Sequence, residues 1–133
     1  AGKPLLNIGC PRQYAVKYLA KYPCGDVCLD IDPQRLTRCE SAQPTLADIR
    51  AIPFPDAYFG AALCSHVLEH LATVADAEQA LAELRRVSGD QVFIASPSRY
   101  SLAAWLHPEH KLWVKRGSDG TIYFEQRRVP GHP

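Results

Sequence analysis

The residues best suited to chemistry in this chain stand where short apolar runs end. Ala61, Ala62, Leu63 and Cys64 are small or apolar without alternation, the pattern of a strand covered on both faces, and Ser65, His66, Glu69 and His70 follow at once. In open parallel sheets the ligand sits beyond the carboxyl ends of the strands, so a polar cluster at a strand exit is where a reaction is expected. An imidazole there titrates near working pH and can move a proton. A second candidate is the carboxylate pair Asp30 and Asp32, which closes the run Val27 to Ile31. Asp30 falls 21 residues after Gly9, near the roughly 20 that separate a glycine turn from the acid gripping ribose hydroxyls in nucleotide-binding sheets. The competing reading makes both acids caps of the next helix, where the helix dipole favours negative charge. The spacing favours Asp30 as the ribose ligand and Asp32 as the cap. His107 and His110 form a further pair, HPEH, which reads first as a turn around Pro108.

The elements that must position these residues alternate in type. Leu5, Leu6 and Ile8 predict a strand that ends at Gly9 and Cys10, and Gln13 to Tyr22 carries Val16, Leu19 and Ala20 at helical spacing. Val27 to Ile31 is the second strand, Gln34 to Ser41 leaves room for a short helix, and Thr45 to Ala47 gives a third strand running into Asp48. The stretch DIRAIPFPD from Asp48 to Asp56 has two prolines in its second half and cannot be a regular helix there; Phe54 and Phe59 should pin it to the core. Tyr58 to Cys64 is the fourth strand. Asp76 with Gln79 marks a helix start, Ala77, Ala80, Leu81, Leu84 and Val87 its inward stripe, and Glu83, Arg85 and Arg86 its solvent face, with Ser88 and Gly89 at its end. Gln91 to Ala95 is continuous enough to be a central fifth strand, and Tyr100 to Leu106 fits a short helix. Lys111 to Arg116 and Thr121 to Arg127 form a hairpin around Gly117 to Gly120. Alternating strands and helices followed by a hairpin imply a three-layer α/β sandwich, mostly parallel, with the hairpin adding a reversed strand.

Size and composition narrow the function classes. The 133 residues read as one domain over positions 1–133, minimal or trimmed at its amino end, since Leu5 already begins a strand and no Met opens the chain. A net charge of +1 with 22% charged residues gives no basic surplus for nucleic acid or an anionic membrane. No apolar run approaches the roughly 18 residues of a bilayer span, and no signal peptide is visible. Five cysteines, Cys10, Cys24, Cys28, Cys39 and Cys64, match no zinc framework and read as reduced, cytoplasmic thiols. Trp105, Trp113, Tyr100 and Tyr123 are candidates to wall a substrate pocket, although aromatics so placed are more often core, and Arg127 and Arg128 read as solvated. The oligomeric state stays open.

Four motifs in order resemble the class I S-adenosylmethionine-dependent methyltransferases of type 11, over about residues 5 to 98. LLNIGC is similar to the family's strand and glycine loop, with Asn7 where the family has an acid, Gly9 kept, and Pro11 and Gln13 where later glycines stand. VCLDID resembles its acidic strand end, ADIRAIPFPDAYF its Pro-Phe loop with Gly60 in place of the last acid, and CSHVLEHL its fourth strand exit. The resemblance implies a Rossmann-like sheet and S-adenosyl-L-methionine as cofactor, held by Asn7, Gly9, Cys10, Asp30, Ile31, Asp48, Ile49 and Ser65. Asp48 would accept from the adenine amine, the Ile49 amide would meet a ring nitrogen, and Ser65 and His66 would lie near the methionine part. Methyl transfer to a small-molecule acceptor is the implied activity, with His66 or His110 as base if the acceptor is a hydroxyl. One subgroup, the ubiquinone-pathway O-methyltransferases, holds a divalent metal at this strand exit, and His66, Glu69 and His70 occupy the matching positions on one helical face; the reading without metal is the stronger. The rival is a degenerate methyltransferase-like module that binds a partner and catalyses nothing, which Pro11 and Gln13 favour. A dinucleotide-dependent oxidoreductase is disfavoured because Gly-x-Gly-x-x-Gly is absent.

Overall fold

Five short strands align in parallel: β1 (Leu5–Ile8), β2 (Val27–Asp30), β3 (Gln43–Leu46), β4 (Ala61–Ser65) and β5 (Val92–Ala95). The structure is a computed structural model and describes residues 2–9, 25–36, 43–65, 67–95 and 111–127. Across the sheet the order is β3-β2-β1-β4-β5, with Asn7 of β1 level with Cys28 on one side and Leu63 on the other. The chain thus steps outward from β1 to β3, returns to the far side of β1 for β4, and steps outward again. At such a reversal the connections leave opposite ways, and a crevice opens at the carboxyl ends of the central strands. The helices expected over Gln13 to Tyr22 and Tyr100 to Leu106 lie outside the described residues.

Burial follows from strand position. β2 is buried along its whole length, as Val27, Cys28 and Leu29 require. In β4, Ala62 and Cys64 are fully buried while Ala61 and Leu63 are half-buried, so this strand is closed completely on one face only, contrary to the expectation from its unbroken apolar run. β5 is a second departure: it forms an edge of the five-stranded sheet, not its centre, and Phe93 is 59% exposed. Four residues are too few for alternation to separate a central strand from an edge strand. Cys28 and Cys64 are buried in the interior.

The described residues carry two helices: α1 (Pro33–Leu36) is a single turn, and α2 (Val74–Ser88) is the long one. α2 starts at Thr73, whose hydroxyl accepts from the Asp76 amide at 3.1 Å, and not at Asp76 as the sequence suggested. Thr73 has the extended backbone of a cap, and Asp76 falls in the first turn, where its charge suits the dipole. Gly89, with φ of 58°, supplies the left-handed ending. Ala77, Ala80, Leu81, Leu84 and Val87 are buried as the periodicity requires, and they join Leu6, Ile8, Val27, Leu29, Ala62 and Cys64 in one core.

The hairpin β6 (Leu112–Arg116) and β7 (Ile122–Gln126) is antiparallel, but it forms its own two-stranded sheet and does not add a reversed strand to the first. Its Leu112 and Phe124 enter the common core. The Lys111 amide donates to the Glu69 carbonyl at 2.7 Å, which ties the hairpin to a 3-10 turn at Leu68–His70. Arg127, expected in solvent, is only 8% exposed and lies 5.4 Å from the centre of the Trp113 ring. Among the described residues no helix is long and apolar enough to cross a membrane.

Candidate functional site

A cavity of about 370 Å³ opens at the carboxyl ends of β1 and β2, a volume within the range of small-molecule sites. Ile8 and Gly9 line it from β1, Leu29, Asp30 and Ile31 from β2, and Ala47 to Arg50 from the segment after β3. Val67, His70, Leu71 and Ala72 close the side beyond β4, with Asp76 from the first turn of α2. Backbone contacts hold the strand tips together: the Gly9 amide donates to the Leu29 carbonyl at 3.0 Å, and the Ala47 amide to the Asp30 carbonyl at 3.1 Å. Gly9 has φ of 81°, a conformation that costs a residue with a Cβ, so glycine is required at this turn.

Three carboxylates line the cavity, and two of them, Asp30 and Asp48, sit at the strand exits in different surroundings. Asp30 is buried, and its Oδ1 accepts from the Asp32 amide at 2.9 Å. Asp32 in turn accepts from the Gln34 amide at 2.9 Å and caps α1, as expected. Asp48 is gripped by Arg50, which donates from its backbone amide to Oδ1 at 2.9 Å, from Nε to both oxygens at 3.1 and 3.2 Å, and from Nη2 to Oδ2 at 2.7 Å. The Arg50 side chain and backbone hold the Asp48 carboxyl below its ordinary 3.8. Arg50 also donates from Nη1 to Asp76 at 3.1 Å. Around these acceptors the walls are apolar, from Ile8, Leu29, Ile49 and Leu71, and Ile31 offers a 69% exposed side chain. Two acceptor groups between apolar walls suit a nucleoside: carboxylates for its hydroxyls and amine, hydrocarbon for its ring faces.

The segment that carries Asp48 and Ile49 is held from α2 by side chains. Gln79 donates to the Arg50 carbonyl at 3.0 Å, and Glu83 accepts from the Ile52 amide at 2.7 Å. Arg86 donates to the carbonyls of Ile52 and Phe54 at 2.8 Å each, to Asp56 at 3.0 Å and to Glu83 at 2.8 Å. This corrects the expectation that Glu83 and Arg86 only face water. Positions 79, 83 and 86 share one stripe of the helix, and the loop they meet contains Pro53 and Pro55. A proline loop makes few regular backbone bonds, so side chains satisfy its polar groups. Phe59 is buried and Phe54 packs on it with ring centres 4.9 Å apart, as the sequence suggested.

At the exit of β4, Glu69 and His70 lie on the 3-10 turn. Glu69 points into the core at 1% exposure, and burial pushes its carboxyl up to about 7. The neighbouring Cys64 thiol is raised by burial and by Glu69. His70 is half-exposed on the cavity, its Nε2 3.9 Å from Glu69 Oε1. His66, the third member of the expected set, lies outside the described residues, and among the described residues no group of three acids, histidines or cysteines could hold a metal.

Of the residues singled out from the sequence, the structure brings Gly9, Asp30, Ile31, Asp48 and Ile49 to one cavity. Asn7 is not among its lining residues: it is buried inside β1, and neither side-chain amide atom has a hydrogen-bond partner among the described residues. Cys10, His66 and His110 lie outside the described residues, as do Tyr100, Trp105 and His107, and Ser65 is the last residue of β4. Trp113 is buried and Tyr123 half-exposed, and neither lines the cavity. Arg50, Val67, Leu71 and Ala72 were not singled out. Arg50, two residues after an acid at a strand exit, carried the one signal that pointed to it.

Residues 6–94 match the family described as a methyltransferase domain. No curated protein matches the sequence. Among solved structures, the PH0226 protein from Pyrococcus horikoshii OT3 has a TM-score of 0.60 at 19% identity, over 92% of this chain and 62% of its own. An S-adenosylmethionine dependent methyltransferase from Mesorhizobium loti gives 0.46 at 17%, over 96% and 59%. A chain from the Haloferax volcanii Trm112 methyltransferase activator complex gives 0.48 at 20%, over 65% and 40%. The sequence thus spans about two fifths to three fifths of these solved chains. The fold matches that of PH0226, with the crevice at the reversal of strand order, and the sequence match covers two thirds of the length: the chain belongs to the methyltransferase domain family, whose cofactor is S-adenosylmethionine.

Proposed function

We propose that this domain binds S-adenosylmethionine in the cavity at the ends of β1 and β2 and transfers its methyl group to a small-molecule acceptor. The observation that carries the reading is the convergence of Gly9, Asp30, Asp48 and Ile49 on one cavity. Asp30 would accept from the ribose hydroxyls and Asp48 from the adenine amine, with Ile31 and Ile49 against the ring faces. The bound cofactor would supply an electrophilic methyl on sulfonium, so no nucleophile of the protein's own is required. The chain's work is alignment and exclusion of water. If the acceptor is a hydroxyl, His66 or His110 would take its proton. The buried thiols of Cys28 and Cys64 accord with a cytoplasmic setting.

Calorimetric titration with S-adenosylmethionine and S-adenosylhomocysteine tests this. Saturable heat is expected for wild type, and Asp30→Ala should weaken binding by about 150-fold or more, the scale of two hydrogen bonds to a charged acceptor. Absence of binding at millimolar ligand would instead support the non-catalytic module.

A further inference from the structure

Arg50 has a specific relation to Asp48 that the cavity lining alone does not convey. An ionised carboxylate offers about four acceptor sites. Three Arg50 donors, the backbone amide, Nε and Nη2, already engage Asp48, with Nε shared between the two oxygens. About one acceptor site is therefore left. The guanidinium is itself held from behind by Asp76, to which Nη1 donates, and the Arg50 backbone by Gln79, which donates to its carbonyl, both acceptor and donor lying on α2. With its Nε and Nη2 edge on one carboxylate and Nη1 on another, Arg50 is committed between two acids, which argues against its serving as a clamp for an anionic acceptor.

We propose that Arg50 is a positioning residue that makes Asp48 a one-site acceptor and thereby sets the preference for a base bearing an amine over one bearing a carbonyl at the same place. This rests on the reading that Asp48 meets the adenine amine. A free carboxylate rotates and keeps several hydrated acceptor sites, so a donor gains little by meeting it. A carboxylate fixed by a planar fork presents its remaining lone pair in one direction, and a carbonyl brought there meets like charge with no donor. Lysine would keep the charge but not the fork.

The test measures S-adenosylhomocysteine and S-inosylhomocysteine, its analogue with a carbonyl in place of the amine, by calorimetry against wild type and variants. Wild type should prefer the amine by about 100-fold, the scale of one hydrogen bond to a charged acceptor. Arg50→Ala should weaken the amine ligand by about tenfold and leave the carbonyl ligand nearly unchanged, so that the preference collapses. Arg50→Lys should recover less than half of the lost preference on a logarithmic scale. Equal weakening of both ligands by Arg50→Ala, or no weakening of either, would overturn the proposal and indicate a general role in loop structure. If Asp48→Ala itself leaves the preference unchanged, the adenine reading fails first, and the two failures are told apart by that arm. Circular dichroism of each variant separates loss of fold from loss of preference.

Discussion

Arg86→Ala should destabilise the domain by about 3 kcal/mol, which for a chain of this size is a fall of roughly 10 °C in melting temperature. The Ile52 and Phe54 carbonyls, the Asp56 carboxylate and Glu83 all lose the same donor. Ile52 is 3% exposed, so its carbonyl lies where water replaces a lost bond poorly. Asp56, by contrast, is 82% exposed in its side chain and contributes little. Arg86→Lys should keep less than half of the stability, since one ammonium cannot reach both carbonyls and the carboxylate in a fixed plane. Chemical denaturation of the two variants beside wild type decides it; a loss under about 1 kcal/mol would mean that the loop holds itself through Phe54, Tyr58 and Phe59.

The second large effect is a pH dependence at Glu69. Its folded carboxyl titrates near 7 against an ordinary 4.5, because burial disfavours the anion. Between those values the folded protein binds a proton that the unfolded chain does not, so stability falls as pH rises through the interval and is complete only below it. The loss from this one group amounts to about 3 kcal/mol by pH 8. Glu69→Gln keeps the shape of the protonated acid and removes the titration. The variant should equal wild type at pH 4 and exceed it by about 3 kcal/mol at pH 8 in urea unfolding. Asp48, Glu83 and Asp119 have lowered carboxyls and act in the opposite sense, losing their contribution only as pH falls below about 4. A difference curve between variant and wild type that stays flat from pH 4 to 8 would contradict the burial of a titrating acid at this position.

Much of the fold was legible because its signals are local. The inward stripe of α2 repeats at helical spacing over fifteen residues, and Gly89 ends it. The tips of β1 and β2 announce themselves through Gly9 and through Asp30 and Asp32, and the structure puts them at one cavity. What failed to show was non-local. Whether Val92 to Ala95 lies at the centre or the edge depends on strand order, and four apolar residues look alike in either place. The hairpin meets the 3-10 turn and α2 through long-range contacts, among them the Lys111 amide on the Glu69 carbonyl, forty-two positions earlier in the chain. Charged residues misled most. Glu83, Arg86 and Arg127 have the composition of a solvent face, yet their long side chains reach backbone carbonyls, backbone amides or an aromatic ring that sequence spacing does not bring near. Arg50 escaped notice for the same reason, since the second acid it bridges, besides Asp48, is Asp76, twenty-six positions away.

Helix α2 performs two tasks at once, its small and branched residues packing the interior while Gln79, Glu83 and Arg86 hold the segment beside the cavity. A nucleoside seated against that segment would therefore damp the breathing of a helix whose far end it never touches. Amide hydrogen exchange along residues 80 to 88 should slow when S-adenosylhomocysteine is added, and in Arg86→Ala the same ligand should leave those amides exchanging at their unliganded rate.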